Sequence, residues 1–283
     1  MSLRLVDDRR KRPDWLRIKA ITGPNFREVS DIINRHKINT VCESAGCPNI
    51  FECFEAGMAT FLILGKRCSR NCRFCQIEKG KETPPDTGEP RRIAHAVADL
   101  HLRYSVITSV TRDDLPDGGA SFFADTIDAI RRLNKNCVIE LLVPDFKGSE
   151  KSLRTVGGGL PDVISHNIET VPRLYSAVRP LAVYERSLSL LARAKRMGFK
   201  TKSGLMVGLG EITAEVIDTL KDLRRAGVDQ VTIGQYLQPT QKHMAVSRFY
   251  APEEFEVIEK NARAIGFSSV RSGPLVRSSY LAG

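Results

Sequence analysis

The chain has no apolar run approaching the roughly 18–20 residues that a membrane span needs, so no membrane is expected among its partners. Its start, Met1 to Lys11, is polar and carries Asp7 and Asp8. It lacks the apolar core of a secretory signal, and the expectation is a cytoplasmic protein. Aromatic residues are scarce at 7%, and none interleave with runs of Lys or Arg. That argues against a nucleic-acid partner. No Gly-x-Gly-x-x-Gly follows a strand pattern, which disfavours a Rossmann-type nucleotide fold. The five histidines form no pair at zinc spacing, and internal repeats and low-complexity tracts are absent.

What is there suffices for one sizeable core: 283 residues, 42% of them hydrophobic. The net charge is +10. Its plain reading is a solvated basic surface; its sharper one is steering of an acidic protein partner. The seven cysteines are uneven, with six between Cys42 and Cys75 and Cys137 apart. A secreted disulfide scaffold would be short and carry cysteines throughout. Clustering in a long chain points to metal or redox chemistry. Cys137 opens an apolar strand pattern and reads as a buried thiol.

Along the chain, a helix is expected near Asn25–His36, then a loop over 41–59 wrapping a metal site. Strand patterns follow at Phe61–Leu64, Tyr104–Val110, Cys137–Val143, Asp162–His166, Thr201–Val207 and Asp229–Ile233. Helical patterns lie near Ile93–Leu102, Phe122–Leu133, Val183–Met197, Ala214–Ala226 and Glu253–Ile265. This alternation predicts an α/β fold of parallel strands with right-handed crossovers. An open doubly wound sheet and an incomplete (β/α) barrel both fit. Polar or glycine-rich segments follow every strand, such as Arg112-Asp113-Asp114 after Val110 and Asn167-Ile168-Glu169 after His166. That favours the barrel, whose sites are built at the C-terminal ends of its strands.

Cys68, Cys72 and Cys75 stand as Cys-x3-Cys-x2-Cys directly after a strand pattern. Thiolates are the usual ligands of iron–sulfur clusters. Three of them leave one iron of a four-iron cluster open to a small molecule. The alternative is half of a zinc site, which normally repeats Cys-x2-Cys or pairs Cys with His. Cys42, Cys47 and Cys53 stand as Cys-x4-Cys-x5-Cys, a spacing no common zinc pattern has, and read as a second cluster. Their alternative is a set of buried apolar thiols, which suits poorly a loop carrying Glu43, Glu52 and Glu55. At the strand ends, Ser109, Arg112, Asp114, Asn167 and Glu169 are candidates for hydrogen bonds to a cofactor, or else a polar rim. Gly118-Gly119 is suited to starting a helix or to close backbone approach.

Cys-x3-Cys-x-aromatic-Cys, with Phe74 as the aromatic, is the signature of the radical S-adenosylmethionine superfamily. Two triads in this order, together with Arg277-Ser278-Ser279-Tyr280, resemble the lipoyl synthase family. The resemblance spans roughly residues 40–280 and includes Arg112-Asp113-Asp114-Leu115, His166-Asn167-Ile168-Glu169-Thr170 and Gly234-Gln235-Tyr236-Leu237-Gln238. The end departs from it, since Leu281-Ala282-Gly283 lacks the His and longer tail common in the family.

The resemblance implies a partial (β/α)6 TIM-like barrel over 60–267. It also implies an N-terminal extension, 1–59, carrying auxiliary-cluster cysteines, and a C-terminal tail, 268–283, closing that cluster at the barrel mouth. It implies two 4Fe-4S clusters and S-adenosyl-L-methionine. Cys68, Cys72 and Cys75 would hold the cluster whose open iron takes the methionine part of the cofactor. Cys42, Cys47, Cys53 and Ser279 would hold the auxiliary cluster, with Ser109, Asn167 and Glu169 binding the cofactor. The implied reaction is insertion of two sulfur atoms at C6 and C8 of a protein-bound octanoyl chain, with the auxiliary cluster as sulfur donor. The implied partners are an octanoylated lipoyl carrier domain or glycine cleavage H protein, a ferredoxin- or flavodoxin-type reductant, and an iron–sulfur carrier for cluster repair. Basic residues near the cysteines, Arg67, Arg70, Arg73, Lys79 and Lys81, are the candidate contacts for an acidic carrier. Biotin synthase and the methylthiotransferases are neighbouring alternatives, and the Cys-x4-Cys-x5-Cys triad argues against both. A metal-stabilised binding module without catalysis is the alternative from another class.

Overall fold

A computed structural model describes residues 12–18, 20, 22–81 and 83–280. The polar arm Met1–Lys11 and the terminal Leu281-Ala282-Gly283 lie outside the described residues. The strands are β1 Asn39–Thr40, β2 Thr60–Ile63, β3 Arg67–Cys68, β4 Glu78–Lys79, β5 Tyr104–Ser109, β6 Val138–Leu142, β7 Val163–Ser165, β8 Lys200–Val207, β9 Gln230–Gln235 and β10 Ser269–Gly273. The helices are α1 Pro24–His36, α2 Val41–Ser44, α3 Ile50–Glu55, α4 Glu89–Asp99, α5 Ala120–Leu133, α6 Glu150–Gly158, α7 Tyr175–Val178, α8 Tyr184–Arg196, α9 Thr213–Arg225 and α10 Pro252–Ile265.

One 8-stranded sheet runs β1-β2-β5-β6-β7-β8-β9-β10. Every pair from β2 to β10 is parallel, and β1 lies antiparallel on β2. Sequential order with a helix between strands is the winding of a (β/α) barrel. The six expected strands are all present. Their runs are buried through the middle, as sheets covered on both faces require. Phe61, Ile107, Ile139 and Ile164 fill the centre with Phe123, Ile127 and Val156 from the helices.

Three elements differ from expectation. Ser269–Gly273, expected as tail, is a further parallel strand on β9; as an edge strand it needs few apolar residues and gives little pattern. Helix α6 has no counterpart in the expected elements. Its Gly157-Gly158-Gly159 end weakens helical periodicity, while Ser149 caps its start by accepting the Ser152 amide. The expected loop 41–59 contains α2 and α3, which span 4 and 6 residues. Such lengths are too short to show a period of 3.6. Thr40 starts α2 by accepting the Glu43 amide at 3.2 Å.

The root of the second cysteine segment is locked by glycine. Leu64 and Gly65 turn the chain out of β2 at φ 68° and 96°. Gly119, at φ 87°, caps α5, and a Cβ there would stand 2.3 Å from Leu64 Cδ1. Only glycine suits both the conformation and the space. Among the described residues no helix is long and apolar enough to cross a membrane.

Candidate cluster and cofactor sites

The loop after β2 carries Cys68, Cys72 and Cys75. The Cys68 thiol accepts the backbone amides of Arg70 at 3.5 Å and Thr111 at 3.4 Å. Ser69 ties the same loop to the end of β5 through the Thr111 carbonyl. Arg70 is buried and clamps the loop, donating to Asp113 at 2.7 Å and to Asp145, beyond β6, at 2.6 Å. Burial pushes the Asp145 pKa up, but its bonds to Arg70 outweigh that and leave it at about 2. The Cys75 carbonyl accepts Lys79 Nζ at 3.0 Å and contacts His243 Nε2 at 3.1 Å. Phe74 packs against the buried group Val178, Leu209, Tyr236 and Val246.

These contacts correct one expectation. Arg70 is not a surface docking residue, because two carboxylates hold it inside. Arg67 pairs with Glu78, Lys79 turns to the Cys75 carbonyl, and Arg73 and Lys81 remain exposed.

Around Cys72 lies a polar shell. Burial raises its pKa, while the Arg179 guanidinium, a side-chain hydrogen-bond partner, opposes the rise. Glu169 sits at φ 71° on a bulge that bridges to Leu205. Burial raises its pKa, with Arg179 and Asn167 opposing. Asn167 lies over Gly204, where a Cβ would come within 2.9 Å of its Oδ1. Among the described residues Ser109 Oγ, Asn167 Oδ1, Thr170 Oγ1 and Arg179 Nε are buried without hydrogen-bond partners. Buried polar atoms are rarely left so, and several beside one thiol loop fit a polar ligand. Arg112 and Asp114, by contrast, bond each other.

The other three cysteines are collected at the opposite end of β2. Because β1 runs antiparallel to β2, it delivers Cys42 to the start of that strand, where the Thr60 backbone bonds the thiol. Burial, Cys47 and Cys53 push the Cys42 pKa up to about 12, with the three thiols acting on one another. Burial also raises Cys47, opposed by Arg277, and lifts Cys75 to about 11. Thiols buried this way ionise readily only beside a cation such as iron. The tail returns from β10 to the same place. Asn49 Nδ2 donates to the Leu275 carbonyl at 2.6 Å, Thr60 Oγ1 to Ser279 Oγ at 2.8 Å, and Tyr280 to Glu52 at 2.9 Å. The Cys42 thiol and the tail residue Ser279 therefore meet beside the start of β2. Among the described residues no three Cys, His, Asp or Glu side chains form a group that could hold a single metal ion. A four-iron cluster spreads its ligands over separate irons. Cys137 is fully buried, with its thiol 3.4 Å from Ser105 Oγ.

Sequence reasoning missed Arg179, Asp145, Thr60 and Asn49. The only signal for Arg179 was a lone arginine inside a mostly apolar stretch before Pro180.

A parallel α/β barrel with three cysteines on the loop after its first parallel strand is the architecture of radical S-adenosylmethionine enzymes. The Radical SAM superfamily model matches residues 62–223. In solved structures, the FeFe-hydrogenase maturase HydG from Carboxydothermus hydrogenoformans matches with TM-score 0.56 at 15% identity, over 89% of this chain and 76% of that one. Methylornithine synthase matches with TM-score 0.52 at 12% identity, over 89% and 79%. The chain belongs to the lipoyl synthase family. It is 52% identical over 277 residues to the lipoyl synthase of Chlorobium phaeovibrioides, covering 97% of this chain and 98% of that one. To the lipoyl synthase of Caldicellulosiruptor saccharolyticus it is 54% identical over 274 residues, covering 96% of each.

Proposed function

We propose that the chain inserts two sulfur atoms at C6 and C8 of a protein-bound octanoyl chain, working in the cytoplasm with two 4Fe-4S clusters. Family membership implies one cluster and S-adenosylmethionine. The second cluster is supported by the meeting of Cys42, Cys47, Cys53 and Ser279 around Thr60. That convergence of residues 219 positions apart carries the reading. When bound, the first cluster with its cofactor supplies hydrogen abstraction from unactivated carbon, and the second supplies sulfur.

The chain's own residues bind, orient and shield. Cys68, Cys72 and Cys75 are the ligands of the first cluster. Ser109, Asn167 and Glu169 offer the cofactor hydrogen-bonding groups, two of them now orphaned. The apolar barrel wall keeps water from reactive carbon. Ser279 supplies a hard oxygen ligand beside soft thiolates, suited to a cluster that must open. The carrier is a lipoyl domain or glycine cleavage H protein, steered by the net charge of +10. A ferredoxin- or flavodoxin-type protein supplies electrons, and an iron–sulfur carrier rebuilds the second cluster. The test is to incubate reconstituted enzyme with S-adenosylmethionine, dithionite and an octanoyl-lysine peptide. The expected result is peptide heavier by two sulfurs, and unmodified peptide with intact cofactor cleavage would refute the sulfur insertion.

A further inference from the structure

The mechanism above gives no role to a buried cation beside the first thiol loop. Arg179 follows α7, is 8% exposed, and lies against the Cys72 thiol. Its Nη1 donates to the Asn167 carbonyl at 3.0 Å and to Tyr175 Oη at 2.7 Å. Its Nε is buried, with no hydrogen-bond partner among the described residues.

A one-way relay of hydrogen bonds holds it in place. His166 Nδ1 contacts the Val143 carbonyl at 2.8 Å, so that nitrogen carries the proton. Burial lowers the His166 pKa to about 4, keeping the ring neutral. Its Nε2 therefore accepts from Ser187 at 2.9 Å, Ser187 accepts from Tyr175 at 2.7 Å, and Tyr175 accepts from Arg179. Each member has its donor role fixed by the next, which leaves the guanidinium little freedom to turn from Cys72.

Arg70 shows what a purely structural arginine looks like here. It is equally buried, but Asp113 and Asp145 both bond it. Among the described residues no carboxylate is in ion-pair contact with Arg179, although Glu169 is electrostatically felt. A buried cation without a carboxylate in direct contact is costly, and here it faces a thiol that becomes a thiolate when it binds iron.

We propose that Arg179 is a positioning residue that sets the reduction potential of the first cluster, by directing its charge at the Cys72 sulfur. This rests on the assignment of Cys68, Cys72 and Cys75 as that cluster's ligands. Reduction adds one negative charge, so a fixed cation beside a ligating sulfur favours the reduced form. Charge and hydrogen bonds to sulfur are established levers on such potentials.

The test uses full-length, reconstituted enzyme and potentiometric titration followed by electron paramagnetic resonance. The relevant cluster is the one whose signal changes on adding S-adenosylmethionine. Absence of any such change in the unsubstituted enzyme would refute the ligand assignment, separately from the role of Arg179. Potentials are then read without the cofactor. In Arg179→Gln the reduced-to-oxidised ratio at fixed potential should fall about tenfold, equivalent to about 59 mV for one electron. Arg179→Lys, which keeps the charge, should recover most of it. Should Gln prevent iron loading, Arg179→Met keeps the buried stem without charge and should show the same fall. An unchanged ratio in the neutral variants overturns the proposal. So does loss of iron from all three variants, which would mark Arg179 as a folding residue only.

Discussion

The two cysteine triads differ in how the chain assembles them. Cys68, Cys72 and Cys75 lie within one loop, clamped by Arg70 to strand ends inside the barrel. Cys42 and Cys53 sit on short helices with Cys47 between them, and the three depend on a tail joined to their segment by bonds across 219 to 228 positions. A site built on one loop inherits the stability of the sheet beneath it. A site closed by distant segments has its own docking equilibrium and can open while the barrel stays folded.

The largest expected effects separate the triads outright. Replacing Cys68, Cys72 and Cys75 by Ala should leave about half the iron and abolish 5′-deoxyadenosine formation; retained cofactor cleavage would falsify the division of labour. Replacing Cys42, Cys47 and Cys53 should spare cleavage and remove sulfur insertion, as read by product mass. Lipoyl product from that second variant would mean the sulfur comes from elsewhere.

A smaller effect tests the clamp. Asp145→Asn breaks a buried ion pair and should cost about 3 kcal/mol at neutral pH, seen as a lowered unfolding midpoint. Asp145 has a folded pKa of about 2, below the usual 3.8. Its contribution is therefore present above pH 3.8 and lost as pH falls toward 2. The gap between variant and parent should close over that window, and a gap constant down to pH 2 would contradict the ionised pair.

On the tail side, Thr60→Val removes the hydroxyl that Ser279 accepts from, at about 1 kcal/mol. Proteolysis of residues 274–280 should quicken about fivefold with the barrel's unfolding midpoint unchanged. Equal loosening of both would erase the distinction. The smallest effect concerns the basic surface. Turnover on an intact acidic carrier should slow severalfold as salt rises beyond about 0.1 M, where screening acts within about 10 Å. A short neutral octanoyl-lysine peptide should respond much less, and equal responses would remove the docking role.

The barrel was legible in the sequence because buried parallel strands write near-continuous apolar runs, as in Tyr104–Ser109. The thiol loop was legible because its three cysteines sit within eight residues, Cys68 to Cys75. Arg70 was misread as surface because its counter-charges, Asp113 and Asp145, come from other strand ends. No local pattern announces a partner 75 positions away. Arg179 was missed for the same reason, since Cys72, Tyr175 and Asn167 converge on it only once folded. The approach of Cys42 to the start of β2 was not legible, because it depends on a strand of two residues, β1, whose antiparallel direction no periodicity could reveal.

The bond from Asn49 to Leu275 also sets an order of events during synthesis. A ribosome adding about 5–20 residues per second needs roughly 10 to 45 s to cover the 226 positions between them. Throughout that interval Cys42, Cys47 and Cys53 have left the ribosome or are about to, while the segment that covers them does not yet exist. Any metal or oxidant the nascent chain meets then finds three thiols without their lid, whereas the Arg70 clamp on the Cys68 loop waits only for the segments after β5 and β6. Closure of the tail over that triad is thereby tied to the final moments of translation or later.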